Sequence, residues 1–257
     1  MTPREQYMAF MTIVRKEIKR YLRIWTQTLL PSAITMSLYF VIFGSLIGSR
    51  IGEMGGFTYM QFVVPGLIMM AIVTNSYSNV VSSFFGSKFN HSVEELLVSP
   101  IPNYVILMGY VVGGVTRGMF VAVVVTIVSL FFTELHIHSY FVVVVIVLMT
   151  STLFALAGFI NAVFANSFDD ISIIPTFVLT PLIYLGGVFY SMDLLPEFWA
   201  NVSKLNPLVY VVNAFRYGVL GVSDVSLTFA MGMITVFTAI AFTYSMHLLN
   251  SGKRLRQ

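Results

Sequence analysis

The chain has 257 residues, 57% of them hydrophobic and only 10% charged, with a formal net charge of +3. An average soluble domain carries roughly 25% charged residues, and a surface this poor in charge excludes a soluble enzyme, a disordered scaffold or a nucleic-acid binder. There are no cysteines, which removes disulfides, thiol catalysis and Cys-ligated metal sites.

Residues 4–26 read as an amphipathic helix. Tyr7, Met11, Val14, Ile18, Tyr21, Leu22 and Trp25 recur at spacings of three and four, while Arg15, Lys16, Lys19, Arg20 and Arg23 fall on the other side. This is the pattern of a helix lying in a membrane interface, with its cations toward anionic headgroups or a partner.

Six continuous apolar stretches follow, at 28–48, 59–85, 104–132, 140–164, 171–190 and 227–249. At 1.5 Å per residue, each is long enough to cross about 30 Å of hydrocarbon. Barrel strands would alternate polar and apolar, and these runs do not. The expectation is therefore an all-α polytopic membrane protein with six spans forming a single domain. The first stretch is too long for a signal-peptide core, and no A-x-A site follows it.

In the second span, Asn75, Asn79 and Ser82 share a face, a candidate wall of a pathway. The loop 86–103 contains Ser92, Val93, Glu94, Glu95, Leu96 and Leu97, bounded by Pro100 and Pro102. Ser92 and Glu95 have capping-box spacing, and the prolines stop the helix. Its apolar residues would pack on the bundle or plug a groove on another protein.

The third span carries Arg117 about 13 residues, or roughly 20 Å, into the helix. A buried arginine needs partners. Candidates are Asn75, Asn79, Asn161, or carbonyls freed by Pro175 and Pro181, and the expected role is to line a cavity or lock the bundle. Gly109, Gly113, Gly114 and Gly118 make two small-residue faces on the same span, read as intramolecular packing sites. Between spans three and four, Glu134, His136 and His138 are too few ligands for a metal site.

Pro175, Pro181 and Gly186-Gly187 mark the fifth span as kinked. The segment 191–224 is long for a loop in this chain. Trp199 suits headgroup level, and the apolar run from Pro207 to Leu220 is too short to span, which suggests outer re-entrant or interfacial helices.

Charge asymmetry sets direction. Arg4, Arg15, Lys16, Lys19, Arg20 and Arg23 precede the first span, Lys88 lies in the second loop, and Lys253, Arg254 and Arg256 follow the last span. The positive-inside rule puts both termini in the cytoplasm.

No G-x-x-x-x-G-K-[ST] phosphate loop is present, nor H-E-x-x-H or G-x-S-x-G. Acidic residues fall outside the spans or near their ends, against an ion-driven carrier. No catalytic residue, cofactor or metal ligand is expected on this chain.

One resemblance accounts for these features together. Phe62-Val-Val-Pro-Gly66, Glu94-Glu-Leu-Leu-Val-Ser-Pro100, Phe168-Asp-Asp-Ile-Ser172, Pro175 to Pro181, Gly186-Gly-Val-Phe-Tyr190, Leu205 to Tyr210 and Arg216-Tyr-Gly218 occur in an order that resembles the type-2 permeases of ABC exporters. The resemblance spans nearly the whole chain. It implies a permease of the bacterial inner membrane that pairs with a second copy and with two copies of a separate ATPase. ATP and magnesium would sit on that ATPase. The helix from Ser92 to Pro100 would couple to it, and the segment 191–221 would gate release. The expected activity is export of a hydrophobic or amphipathic substrate by alternating access. A lipid-linked polysaccharide permease, a motor-free secondary transporter and a non-transport scaffold are the competing readings.

Overall fold

Local capping and glycine chemistry place several helix ends in the computed structural model, which describes residues 1–252. Lys253, Arg254 and Arg256 lie outside the described residues. Helix α1, Pro3–Arg23, starts at a capping box in which Thr2 accepts from the Glu5 N–H and the Glu5 carboxylate accepts from the Thr2 N–H. Proline at the first helical position costs no hydrogen bond there.

The first apolar stretch is helical from Trp25 to Ile51. It is built of α2 (Trp25–Thr28), α3 (Leu30–Val41), a π-helical stretch (Ile42–Ile47) and α4 (Gly48–Ile51). A small hairpin follows, the one departure from an all-α chain among the described residues. Strand β1 (Glu53–Met54) pairs antiparallel with β2 (Phe57–Thr58). Gly55 and Gly56, at φ of 61° and 82°, make the turn, a conformation that favours glycine.

Helix α5 (Tyr59–Phe89) begins at a Thr58–Gln61 capping box. Then come α6 (Ser92–Val98), α7 (Asn103–Ser129) and α8 (Tyr140–Phe164). The fifth apolar stretch differs from the expected full span. It consists of α9 (Asp170–Ile174), a π-helical stretch (Pro175–Leu179) and α10 (Thr180–Tyr184). It ends at Tyr184, before the expected limit at residue 190, because Gly187 turns the chain at a φ of 74°. This length falls short of the roughly 20 residues that cross a bilayer.

Beyond it lie a 3₁₀ turn (Met192–Leu194), α11 (Glu197–Ser203), α12 (Pro207–Leu220) and α13 (Leu227–Ser251). Among the described residues, five helical stretches are long and apolar enough to cross a membrane. The chain is thus a helical, multi-pass membrane protein.

Helix α5 is the hub, packed mainly on α7 and α8. Of its most apolar stretch 83% is inside the bundle, against 12% for Trp25–Ile51 and 11% for α13. The first and last spans therefore form flanks. Glycines let the central helices close up. A Cβ on Gly158 of α8 would lie 2.5 Å from the Tyr77 carbonyl oxygen of α5, and one on Gly114 of α7 would lie 2.7 Å from Val80 and 2.9 Å from Ala155.

Candidate functional site

Polar and charged side chains gather at two places. One lies where α1 crosses α5 and α7. The contacts advance together along α1 and α7. The Tyr104 hydroxyl donates to Gln6 at 2.7 Å, Ile13 covers Gly109 and Glu17 covers Gly113. Helix α1 is thus packed along the first half of α7, and its buried stripe is Ile13, Val14, Glu17 and Tyr21. That stripe is rotated from the expected apolar face. Tyr7, Leu22 and Trp25 are exposed.

Glu17 is wholly buried. It accepts a hydrogen bond from the Ser83 hydroxyl at 2.5 Å and lies 3.4 Å from Arg20. Arg20 departs from the expected polar face. It turns inward and donates to the Asn79 carbonyl at 2.8 Å and to Asn79 Oδ1 at 2.9 Å. Arg15, Lys16, Lys19 and Arg23 remain exposed.

A second rung lies farther along α5. Arg117 Nη2 donates to Asn75 Oδ1 at 2.9 Å and approaches the Thr28 carbonyl at 3.5 Å. Asn75 Nδ2 in turn donates to Ser32 at 3.0 Å. This rung ties the start of the first span to α5 and α7. Pro175 and Pro181 lie elsewhere. The Pro175 carbonyl accepts from the Thr180 hydroxyl at 2.8 Å and the Pro181 carbonyl from the Leu185 N–H at 3.0 Å. A proline frees the carbonyl four residues before it; behind Pro175 that is Ile171, which accepts from Asn161 Nδ2 at 3.4 Å, while Arg117 turns to Asn75 and Thr28.

Helix α6 is anchored next to the end of α5. The Ser92 hydroxyl donates to the Ser87 carbonyl at 3.0 Å, and the Tyr110 hydroxyl to Ser87 Oγ at 3.1 Å. The expected Ser92–Glu95 capping box does not form. His91, at a φ of 58°, takes the N-cap position and moves Ser92 inside the helix. Val93 is buried, and Leu96 and Leu97 pack partly on the core. Glu95 and Pro100 are exposed, and Glu94 is half-buried. Val98 is 85% exposed, and the exposed aromatics Phe89 and Phe168 pair with ring centroids 5.0 Å apart.

Sequence reasoning counted Lys88 as a loop cation. It is buried in the last turn of α5, and its Nζ donates to the carbonyls of Val163 at 2.9 Å and Ala165 at 2.7 Å. A cation there meets the open carbonyls and negative dipole end of α8. The turn that follows is closed by Asp170, whose Oδ2 accepts from the N–H groups of Asn166 at 2.8 Å and Ser167 at 3.1 Å.

The second polar gathering lies at the opposite end of α5. Here the scattered sequence motifs meet. Arg216 of α12 stacks 3.9 Å from the Phe62 ring centroid and donates to the Gly187 carbonyl at 2.6 Å. A Cβ on Gly66 would strike the Val188 carbonyl at 2.7 Å. Asn206 donates to the Leu182 carbonyl at 2.6 Å, and Gly218 accepts from the Ser139 N–H at 2.8 Å. Arg216 lies in the segment expected to form outer re-entrant or interfacial helices, and it is wholly buried. Sequence reading missed Glu17, although its place in the stripe with Ile13, Val14 and Tyr21 was a signal. Among the described residues, no cluster of three or more His, Asp or Glu side chains could hold a metal.

Comparison with known proteins bears on what this arrangement does. Residues 8–220 match the family described as ABC-2 type transporter. The chain is 56% identical over 250 residues, 97% of its length and 98% of the relative's, to the inner membrane transport permease YadH of Escherichia coli K12, and equally to that of Shigella flexneri. It is also 21% identical over 249 residues, 96% of this chain and 94% of the relative, to nodulation protein J of Neorhizobium galegae.

Proposed function

The chain belongs to the ABC-2 type transporter family, and from that membership we propose that it is the permease subunit of an ATP-driven exporter in the bacterial inner membrane. It pairs with a second copy and with two copies of a separate ATPase that carries ATP and magnesium. Both termini and α6 face the cytoplasm, and α11 and α12 form outer re-entrant elements of a single domain. The cargo is hydrophobic or amphipathic.

Helix α6 is the observation that carries the reading. A seven-residue helix pinned through Ser87, Ser92 and Tyr110 is fixed in place, yet it leaves Val98, Glu95 and Phe89 open. Such a fixed projection suits the transfer of a push from a partner. Force on Ser92 through Pro100 reaches α5 and α7 by way of the Ser87 rung. The Glu17–Arg20–Asn79 and Arg117–Asn75 contacts act as locks that make α1 and the first span move with them. ATP can bias the two states only through a differential interaction, and the ATPase supplies it.

The cleft among α8, the 170–184 segment and α13 supports the cargo class over a polysaccharide. It encloses about 360 Å³ and is lined by apolar and aromatic residues such as Phe154, Leu182, Phe237 and Tyr244.

Val98→Asp tests the coupling role, since Val98 leaves the chain's own packing untouched while Leu96 and Leu97 do not. With the tagged wild type, a P-loop ATPase is expected to co-purify in stoichiometric amount from native membranes in mild detergent. The variant is expected to insert normally and lose it. Normal recovery of the ATPase with Val98→Asp overturns the coupling assignment, and a wild type without any ATPase overturns the exporter.

A further inference from the structure

The α12 end of the bundle holds an arginine whose hydrogen-bonding capacity the protein does not use up. Arg216 donates through Nη2 to Gly187 and stacks on Phe62, but Nε and Nη1 have no acceptor among the described residues. A guanidinium carries five N–H donors and stays charged. Buried with donors unmet, it is costly until an acceptor or counter-ion arrives.

Arg216 stands on the wall of a cavity of about 320 Å³, shared with Phe62, Ser191, Leu194, Ser223 and Asp224. Leu194 is 66% exposed, so the cavity reaches the surface. Asp224 is held in place on this wall. Its N–H donates to Asn213 Oδ1 at 3.0 Å and its Oδ2 accepts from the Met192 N–H at 2.7 Å. Arg216 and Asp224 thus share one cavity without a direct ion pair between them, and burial alone does not explain why they are kept apart.

We propose that this cavity binds the zwitterionic head group of an amphiphile, with a phosphate on Arg216 and an ammonium toward Asp224. The charges decide the class. A bare anion would meet Asp224, and a bare cation would leave Arg216 unmet. A head group carrying both signs matches a wall of zero net charge. A phosphate takes a charge-assisted hydrogen bond from a guanidinium nitrogen that the protein leaves unmet, Nε or Nη1, while Nη2 keeps the Gly187 carbonyl. Phe62 and Leu194 give the hydrocarbon side of an amphiphile an apolar surface. Binding needs this chain alone, so it stands or falls independently of the ATPase.

The test uses the full chain, delipidated in detergent, and isothermal titration calorimetry. The probes are dioctanoyl phosphatidylethanolamine, dioctanoyl phosphatidylglycerol and free phosphoethanolamine. The wild type is expected to prefer the ethanolamine lipid over the glycerol lipid by about tenfold, the size of one ion-pair contribution. Asp224→Asn keeps an oxygen for the Met192 N–H and is expected to abolish that preference. Arg216→Lys is expected to weaken both lipids, and if it fails to fold, the Asp224 variant decides by itself. Phosphoethanolamine binding as tightly as the lipid identifies a soluble head group as the ligand, and lipid-only binding identifies a membrane lipid. Either supports the site. No binding, or equal binding of both lipids unchanged by Asp224→Asn, overturns it.

Discussion

Glu17 and Arg20 show how one buried carboxylate reorganises a helix. A glutamate at zero exposure is tolerated only if its lone pairs are met, and Ser83 and Arg20 meet them. Arg20 is drawn inward in turn and also donates to Asn79 and Ser82. Glu17→Ala removes the acceptor for Ser83 and is expected to lower stability by about 1–3 kcal/mol, read as a lower unfolding temperature in detergent. A double-mutant cycle with Arg20→Ala should return a coupling of about 0.5–3 kcal/mol. A cycle that closes at zero would mean that the pair is incidental and that Asn79 alone holds α1.

At the scale of elements, α1 is seated by glycines. A Cβ on Gly113 would lie 2.5 Å from Glu17 Cβ, and one on Gly109 would lie 2.6 Å from Ile13. Gly113→Leu is therefore expected to push α1 off α7 at a cost of about 1–3 kcal/mol for overpacking. Limited proteolysis should then cut within Pro3–Arg23 while the remaining helices stay protected. Cutting no faster than in the wild type would refute the seating. The spacing of Gly109 and Gly113 was legible in the sequence as a close-contact face. Which helix used it was not, because an x-x-x repeat of small residues carries no information about its partner.

The whole molecule leaves some surfaces unfinished. The 170–184 segment is short, partly π-helical and open, with Phe177 73% exposed. Irregular backbone at membrane depth is tolerated where protein or a water-filled cavity covers it. The second copy proposed above would supply that cover. The chain has no cysteine, so a single Phe177→Cys variant is a clean probe. In native membranes a short bismaleimide should link two copies through residue 177. The same change at Phe229, 54% exposed on α13, should not link them. Equal yields at both positions would remove the 170–184 face from the interface.

The membrane class and helical character of this protein were determined by the sequence alone, because continuous apolar runs leave the backbone no other way to satisfy its hydrogen bonds in lipid. Phe62-Val-Val-Pro-Gly66 and its companion motifs also carried the family, since their order along the chain is itself information. The partners of the charged residues were decided only by the tertiary structure. Hydropathy reports how costly a buried Arg117, Arg216, Glu17 or Lys88 is, but not which carbonyl, amide or ring offsets that cost. Those partners come from 42 positions away for Asn75 and Arg117, and 75 for Lys88 and Val163. The shortness of the fifth stretch belongs with them. Its apolar run continues past Tyr184, and only the turn at Gly187, packed over Gly66 and Arg216, ends the helix.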